Sequence, residues 1–279
     1  MAPVQVGVVS RSFPKMTVQQ AAGFMAKLEL KSTEFCLLHS DANYWRYNDI
    51  SDMSEMTDQR FAAYVRLFQN EGISVPVLGV FTNVLCPEDE AWPAIKAYFE
   101  RHMQLAAHCA IPIVATECGF RGDSRGILAT RYESDFSRMV DHFQQLCALA
   151  EHYGVSVALE ACVLDVVCSA RRARDFVLQV NSPSMGLLLD PANLIASADE
   201  DDLFKYLSPH TLYFHGKDRK VNDAYGRIVG DGEIDWVRFL QLYHQYNEGA
   251  PFIMEYVNEE NCAMVADRVR EYDRLARLG

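Results

Sequence analysis

The sequence contains no long hydrophobic run. No stretch approaches the ~20 uncharged apolar residues that a membrane-spanning helix needs. The amino terminus also lacks the basic segment followed by an apolar one that marks a secretory leader. We therefore expect a soluble, cytoplasmic protein with no membrane partner.

Paired cysteines and an excess of basic residues are missing as well. The eight cysteines are scattered with no CxxC pair, so we interpret them as reduced thiols that lie mostly in the core. Acidic residues outnumber basic ones by 38 to 26, which gives a net charge of −12. Because a nucleic-acid surface normally carries a basic stripe, this composition argues against a nucleic-acid partner.

No segment rich in Pro, Gly or Ser divides the chain, so we expect residues 1–279 to form a single domain. Eight apolar runs alternate with eight amphipathic segments, which predicts a parallel sheet with crossover helices. A length of 279 residues suits closure into a (β/α)8 TIM barrel, which typically takes ~250. The predicted strands span 4–9, 33–38, 74–81, 111–117, 156–162, 185–190, 211–215 and 251–256.

Helix boundaries carry recognisable signals. Thr17 with Gln20 resembles a capping box, and Asp235 is placed to cap the helix that follows it. Three glycines stand where a helix ends before a strand, which fits a left-handed cap: Gly72, Gly154 and Gly249. The predicted helices span 17–29, 58–71, 88–108, 131–153, 169–180, 200–207, 235–248 and 260–277.

Four polar residues each end an apolar run that otherwise reads as a buried strand: Glu160, Asp190, His215 and Glu255. In a parallel barrel their side chains would converge on one rim. Three carboxylates about 4 Å apart repel by roughly 4 kcal/mol per pair at an effective dielectric near 20, so the group invites one divalent cation. Three carboxylates with one imidazole favour Mn²⁺ or Mg²⁺, with Co²⁺ or Zn²⁺ as alternatives.

Further polar residues stand at the other predicted strand ends, where the active sites of such barrels lie: Ser10, Arg11, His39, Asn83 and Glu117. Glu117 closes an apolar run and either binds substrate or pairs with Arg121. His39 either lines the pocket or is a structural histidine. We include both among the candidate substrate-binding residues.

Three charged residues follow His215 closely in the sequence. Lys217 could polarise a substrate oxygen, and Asp218 could orient His215 or Lys217. Ion pairing among Lys217, Asp218 and Arg219 is the alternative interpretation. Arg219, Lys220 and Arg227, in the loop before Gly230, could meet a phosphate or a carboxylate. Solvent exposure is the alternative explanation for at least two of these three.

These residues belong to a longer pattern that resembles the xylose isomerase-like TIM barrels, in particular the sugar phosphate isomerase/epimerase family. The pattern comprises Glu160 on the fifth strand, Leu189-Asp-Pro-Ala-Asn193, Phe214-His-Gly-Lys-Asp218, Gly230-Asp-Gly-Glu-Ile-Asp-Trp236 and Met254-Glu-Tyr256. The resemblance spans nearly the whole chain. It implies a divalent metal held by the four residues above, and it implies that Glu160 and Glu255 act as an acid/base pair, as in ketose 3-epimerases of this group.

One position departs from the epimerase pattern. Those enzymes carry a histidine three residues after the aspartate, where this chain has Asn193. An amide donates a hydrogen bond but does not titrate near neutral pH, so we predict that Asn193 positions a substrate hydroxyl. The same superfamily includes inosose dehydratase, dehydroshikimate dehydratase and endonuclease IV, so membership alone does not choose the reaction.

Such a site suits proton abstraction next to a carbonyl through an enediolate. We expect a metal-dependent isomerase or epimerase of a small sugar or sugar phosphate. The main alternative is a metal-dependent dehydratase of an inosose-like or keto-acid substrate. A non-catalytic sugar-binding barrel is a further alternative, and a DNA endonuclease is disfavoured by the acidic charge. The sequence leaves the oligomeric state open, a homo-oligomer included.

Overall fold

The structure, a computed structural model, describes residues 1–86, 89–121 and 126–279. Eight parallel strands form a closed barrel in sequence order, and β1 pairs with both β2 and β8. The strands are β1 (Val6–Val9), β2 (Ser32–Phe35), β3 (Ser74–Gly79), β4 (Ile113–Glu117), β5 (Ser156–Glu160), β6 (Met185–Leu189), β7 (Thr211–Gly216) and β8 (Phe252–Met254).

One main helix follows each strand along the chain. These helices are α1 (Val18–Lys27), α2 (Asp58–Asn70), α3 (Trp92–His108), α4 (Tyr132–Tyr153), α5 (Ala170–Val180), α6 (Glu200–Leu207), α7 (Trp236–Tyr246) and α8 (Cys262–Ala276). A short helix, Pro191–Leu194, comes directly after β6. No helix in the described ranges is long and apolar enough to cross a membrane.

Most of the strands are largely apolar because they are covered on both sides, and β2, Ser32-Thr-Glu-Phe35, is the polar exception. β1 and β6 are buried at every position, as expected when helices cover one face of a parallel sheet and the barrel interior covers the other. Fully buried phenylalanines on helices, such as Phe99, Phe143 and Phe176, fill the layer between sheet and helices. This packing leaves the carboxyl ends of the strands as the place for polar side chains.

The predicted caps are present. Thr17 and Gln20 form a reciprocal capping box at α1, and the side chain of Asp235 accepts a hydrogen bond from the backbone of Arg238 at α7. Three glycines adopt the positive φ that favours glycine: Gly72 at 75°, Gly154 at 69° and Gly249 at 92°. Each loop therefore returns the chain to the amino end of the next strand with little strain.

The barrel confirms the predicted fold class, with its eight strands and eight helices at the predicted places. The helix predicted over 88–108 begins at Trp92, after a 3-10 turn at Asp89–Ala91, and residue 88 lies outside the described residues. The sequence did not predict a small hairpin in which Leu38–His39 pairs with Ala42–Asn43. Strands of two residues are too short to show a periodic pattern.

Candidate active site

The four predicted ligand residues meet at the carboxyl ends of the last four strands. Glu160 is the last residue of β5, and His215 lies near the end of β7. Asp190 and Glu255 directly follow β6 and β8. One ligand atom from each residue lies within 4.8 Å of all the others, and all four residues are buried. The structure thus brings this predicted set together.

Lys217 places its ammonium group among the three carboxylates. Its Nζ lies 2.7 Å from Asp190 Oδ2, 2.9 Å from Glu255 Oε2 and 3.4 Å from Glu160 Oε1. Burial alone would lower the pKa of Lys217, but the three carboxylates raise it well above its ordinary value. The surrounding carboxylates therefore favour the protonated form of Lys217.

The three carboxyl groups around Lys217 have pKa values that shift in different directions. Burial works to raise the pKa of Glu160, yet Lys217 and His215 hold it well below its usual range. Burial raises the pKa of Asp190 to about 7 in spite of Lys217, since Glu160 lies beside it. For Glu255, burial is outweighed by Lys217 and Arg11, which lower its pKa. Both glutamates are consequently ionised at neutral pH.

His215 is oriented by a carboxylate on the opposite side of the barrel. Its Nε2 lies 2.9 Å from Oε2 of Glu34 on β2, and the hydroxyl of Tyr213 donates to the same oxygen at 2.7 Å. Burial favours a neutral imidazole, but Glu34 and Glu255 raise the pKa of His215 to about 10. A histidine must be neutral to bind a metal, so loading the site would release this proton.

The donor set fits a divalent cation. With Nε2 held by Glu34, Nδ1 of His215 faces Glu160 Oε1 at 3.6 Å and Glu255 Oε2 at 3.7 Å. These distances are too long for hydrogen bonds, so a buried nitrogen is left directed at two carboxylates. Oxygen ligands with one imidazole nitrogen suit a hard divalent ion such as Mg²⁺ or Mn²⁺.

Arg11 lies two residues after the end of β1 and extends its guanidinium to the site. One arm of its guanidinium donates to Glu34 at 3.2 Å and the other donates to Glu255. The group also lies over the ring of Phe81, 4.8 Å from its centroid. Arg11 therefore links the carboxylate that orients His215 to one of the four ligand residues.

Glu34 was not among the residues predicted at the site, and Arg11 was noted at a strand end without a role. Glu34 lies in β2, where all four positions are buried. A carboxylate in such a strand is costly without partners, and that was the available signal. Its partners His215 and Tyr213 are about 180 positions away in the sequence, so local pattern did not reveal them.

Asn193 connects the ligand group to the cleft. Its amide nitrogen donates to Glu160 Oε1 at 2.7 Å, and its amide oxygen accepts from Arg219 Nη2 at 3.3 Å. Asp190 holds this segment in place, because its Oδ1 accepts from the backbone N–H groups of Ala192 and Asn193. Each end of the Asn193 amide group therefore bonds a charged side chain: the nitrogen bonds Glu160 and the oxygen bonds Arg219.

A cleft of about 440 Å³ opens above the four ligand residues. Among the predicted substrate-binding residues, Asn193, Lys217, Arg219 and Glu117 line it, and Glu117 accepts a hydrogen bond from Tyr47 at 2.8 Å. Further lining residues are Arg11, Trp45, Cys162, Glu255 and Tyr256. Another cavity, of about 230 Å³, lies at the amino end of the barrel around Ala2, Ser32 and Pro251, away from the ligand residues.

The structure does not bring two of the predicted residues to the positions expected. His39 is not part of the described cleft lining; it is buried in the small hairpin against Phe35, with ring centroids 6.1 Å apart. Burial lowers the pKa of His39 to about 4. This position favours the alternative interpretation of His39 as a structural histidine over a residue that lines the pocket.

Asp218 holds its own loop and not His215 or Lys217. Its carboxylate accepts from the backbone N–H groups of Gly230 at 2.9 Å and Ile234 at 3.3 Å, and from Trp236 Nε1 at 2.8 Å. Four donors, including the N–H of Arg219, saturate this carboxylate. Glu34 plays the orienting role that was predicted for Asp218.

The chain matches a known protein family and several solved TIM-barrel structures. The family model for the xylose isomerase-like TIM barrel matches residues 25–277. No curated protein sequence matches the chain.

Solved structures match at low identity over almost the whole chain. D-psicose 3-epimerase from Clostridium cellulolyticum H10, solved with D-tagatose, is 15% identical with a TM-score of 0.72 and covers 99% of each chain. The 3-keto-D-glucoside 4-epimerase of E. coli is 12% identical with a TM-score of 0.74, covering 99% of this chain and 100% of that one. The IOLI protein with a bound zinc atom is 16% identical with a TM-score of 0.73, covering 99% and 97%. At these identities the likeness shows the fold alone.

Proposed function

The chain belongs to the xylose isomerase-like TIM barrel family, and from this premise we propose that it is a divalent-metal-dependent sugar isomerase or epimerase. The observation that carries the proposal is the buried group of three carboxylates and one imidazole, of which Glu255 lines an open cleft. The similar structures that act on sugars, D-psicose 3-epimerase and 3-keto-D-glucoside 4-epimerase, support a sugar-like substrate.

The metal would be held by Glu160, Asp190, His215 and Glu255. When bound there, a divalent cation supplies Lewis-acid polarisation of a substrate carbonyl, which acidifies the neighbouring C–H. The oxygen-rich donor set favours Mn²⁺ or Mg²⁺, and the zinc of the IOLI protein keeps Zn²⁺ among the candidates.

Glu255 is the proposed base that takes a proton from carbon. It lines the cleft, and Lys217 and Arg11 keep its carboxylate ionised at neutral pH. A base must reach the proton it removes, and among the ligand residues Glu255 belongs to the described cleft lining. Its two cationic neighbours also stop it from being protonated by solvent before substrate arrives.

Glu160 is the proposed partner that handles the second proton. Asn193 and Lys217 both donate to its Oε1, which fixes the carboxylate and leaves it ionised. For epimerisation one glutamate removes a proton and the other delivers one from the opposite face of the substrate. Because both are ionised at neutral pH, the delivering glutamate must first take a proton from water, and the removed proton returns from the first glutamate to water. Transfer between neighbouring carbons on one face gives aldose–ketose isomerisation.

Exchange of substrate protons with heavy water tests this proposal. The metal-loaded protein is incubated with a panel of ketoses, inososes and keto acids, and the mass and chirality of the products are measured. Deuterium uptake without loss of mass supports isomerase or epimerase chemistry, whereas loss of water would show a dehydratase. Binding without any exchange across the panel would favour a non-catalytic sugar-binding barrel.

Two variants assign the proton transfers. Glu160→Gln and Glu255→Gln should each abolish deuterium uptake, because each loses a carboxylate that serves as a metal ligand and as an acid or base. Glu260→Gln, on the exposed surface, is the matched control and should exchange at the parent rate. Circular dichroism must match the parent, and a site variant that still exchanges at the parent rate with metal bound removes that glutamate from the mechanism.

A further inference from the structure

Arg219 is a buried cation without an acidic partner in the described cleft. The residue is 6% exposed, and it lines the cleft beside Asn193 and Lys217. Its side chain donates one hydrogen bond, from Nη2 to the amide oxygen of Asn193 at 3.3 Å. Within the described part of the chain its Nε is buried without a hydrogen-bond partner. A guanidinium removed from water in this way is costly unless an anion compensates it.

The other two cations of the cleft are already neutralised. Arg11 is paired with Glu34 and Glu255, and Lys217 is paired with three carboxylates. Arg219 differs from both because its side-chain bond goes to a neutral amide. An incoming anion therefore meets one guanidinium whose charge is not balanced by a bonded carboxylate.

The loop around Arg219 holds the residue in place without neutralising it. Asp218 accepts from its backbone N–H at 2.8 Å, and its carbonyl oxygen accepts from the backbone of Glu233 at 3.1 Å. Asp223 lies within electrostatic range of Arg219, but the carboxylate of Asp223 is bonded to Arg227 and to the backbone of Tyr225. The guanidinium is thus positioned by its backbone and left available to a ligand.

We propose that Arg219 is an anion-binding residue, so that the substrate is an anionic sugar whose carboxylate or phosphate group binds at this guanidinium. This inference rests on the proposed function, because it takes the cleft to be a sugar site. A planar guanidinium matches the oxygen geometry of both groups. Asn193 would hold the guanidinium in position through the hydrogen bond from Nη2.

Binding of three related polyols tests the proposal. The probes are D-glucitol, D-gluconate and D-glucitol 6-phosphate, which have similar chains but carry no charge, a carboxylate and a phosphate. They lack a ketone or aldehyde, so their binding does not depend on proton transfer. Titration calorimetry with the metal-loaded wild type should show at least one anionic probe binding roughly 10- to 100-fold more tightly than D-glucitol, as expected for a charge-assisted contact.

Arg219→Gln should weaken binding of the anionic probe far more than binding of D-glucitol, so that the preference for the anion is lost. Arg219→Lys should keep part of it, because the charge stays while the planar pair of donors is lost. Arg227→Gln is the matched control: it removes a cation from the same loop that is already bonded to Asp223, and the preference should persist. A preference for D-gluconate identifies a sugar acid, and one for D-glucitol 6-phosphate identifies a sugar phosphate.

Three results would overturn the inference. The wild type could bind all three polyols equally, which by itself rules out an anion site. The preference could survive in Arg219→Gln, which would assign it to metal chelation or another cation. The preference for the anionic probe could also be lost in Arg227→Gln, which would show that it depends on the total charge of the loop and not on Arg219. Failure of the proposed function would be seen separately, as absence of deuterium uptake with intact anion binding.

Discussion

Lys217 puts a positive charge next to the atoms that would hold a metal ion. Its ammonium bonds oxygens of Glu160, Asp190 and Glu255, so an arriving divalent cation competes with it for the same negative charge. Two like charges ~4 Å apart repel by roughly 4 kcal/mol per unit pair at an effective dielectric near 20. Metal affinity should therefore be set by this lysine as well as by the ligands.

Lys217→Met should tighten Mn²⁺ binding about tenfold or more, since the competing charge is removed while all four ligands stay. Titration calorimetry on chelator-treated protein measures this without any substrate. Lys220→Met, on the exposed part of the same loop, is the control and should bind Mn²⁺ as the parent does. Equal or weaker Mn²⁺ binding by Lys217→Met would show that the lysine supports the metal site.

At the scale of elements, the loop between β7 and α7 is held closed by one carboxylate. Asp218 bonds the backbone of Gly230 and Ile234 and the indole of Trp236. Gly232 approaches so closely that an added Cβ would lie 2.0 Å from Asp218 Oδ1. The position of Arg219 in the cleft thus depends on a loop folded tightly around its neighbour.

Asp218→Asn should lower the free energy of unfolding by about 2 kcal/mol or more, because an amide group turns donors toward N–H groups that need an acceptor. Denaturant titration measures the loss, and hydrogen exchange at Gly230 and the Trp236 indole locates it. Asp231→Asn, an exposed change in the same loop, should cost far less. Unchanged exchange at both sites in Asp218→Asn would contradict the role given to this carboxylate.

The elements of the fold were readable from the sequence because each carries a local signal. Apolar runs, Thr and Asp caps and left-handed glycines such as Gly154 mark where strands and helices begin and end. The four residues that meet at the candidate metal site could be predicted for the same reason, since each ends an apolar run. Their binding of a metal stays a prediction. Glu34, the role of Arg11 and the loop role of Asp218 were missed because their partners lie far along the chain and only the closed barrel brings them together.

At the scale of the whole molecule, buried neutral histidines make stability depend on pH. His102 on α3 bonds the carbonyl of Tyr98 through Nδ1 at 2.8 Å, and burial lowers its pKa to about 4. In the unfolded chain its pKa is ~6.5. The unfolded state therefore binds more protons between these values, and stability present above pH 6.5 is lost as the pH falls toward 4.

His102→Phe should reduce the loss of stability as the pH falls below ~6.5. The parent should lose about 2 kcal/mol of unfolding free energy between pH 7 and pH 5 through this histidine alone, and the variant should lose that much less. Denaturant titrations at the two pH values measure the difference. His108→Phe is the control, because His108 lies at the exposed end of the same helix. Equal losses in His102→Phe and the parent would exclude His102 as a source of acid sensitivity.

The closure of β1 against β8 has a consequence for how the protein is made. All four ligand groups come from residues 160–255, whereas the groups that orient and neutralise them, Arg11 and Glu34, lie in the first 34 residues. A ribosome therefore delivers these supporting charges before Glu255. A nascent chain that ends before β8 would carry Arg11 without its partner Glu255. The centre can be assembled only after the chain has been synthesised through β8.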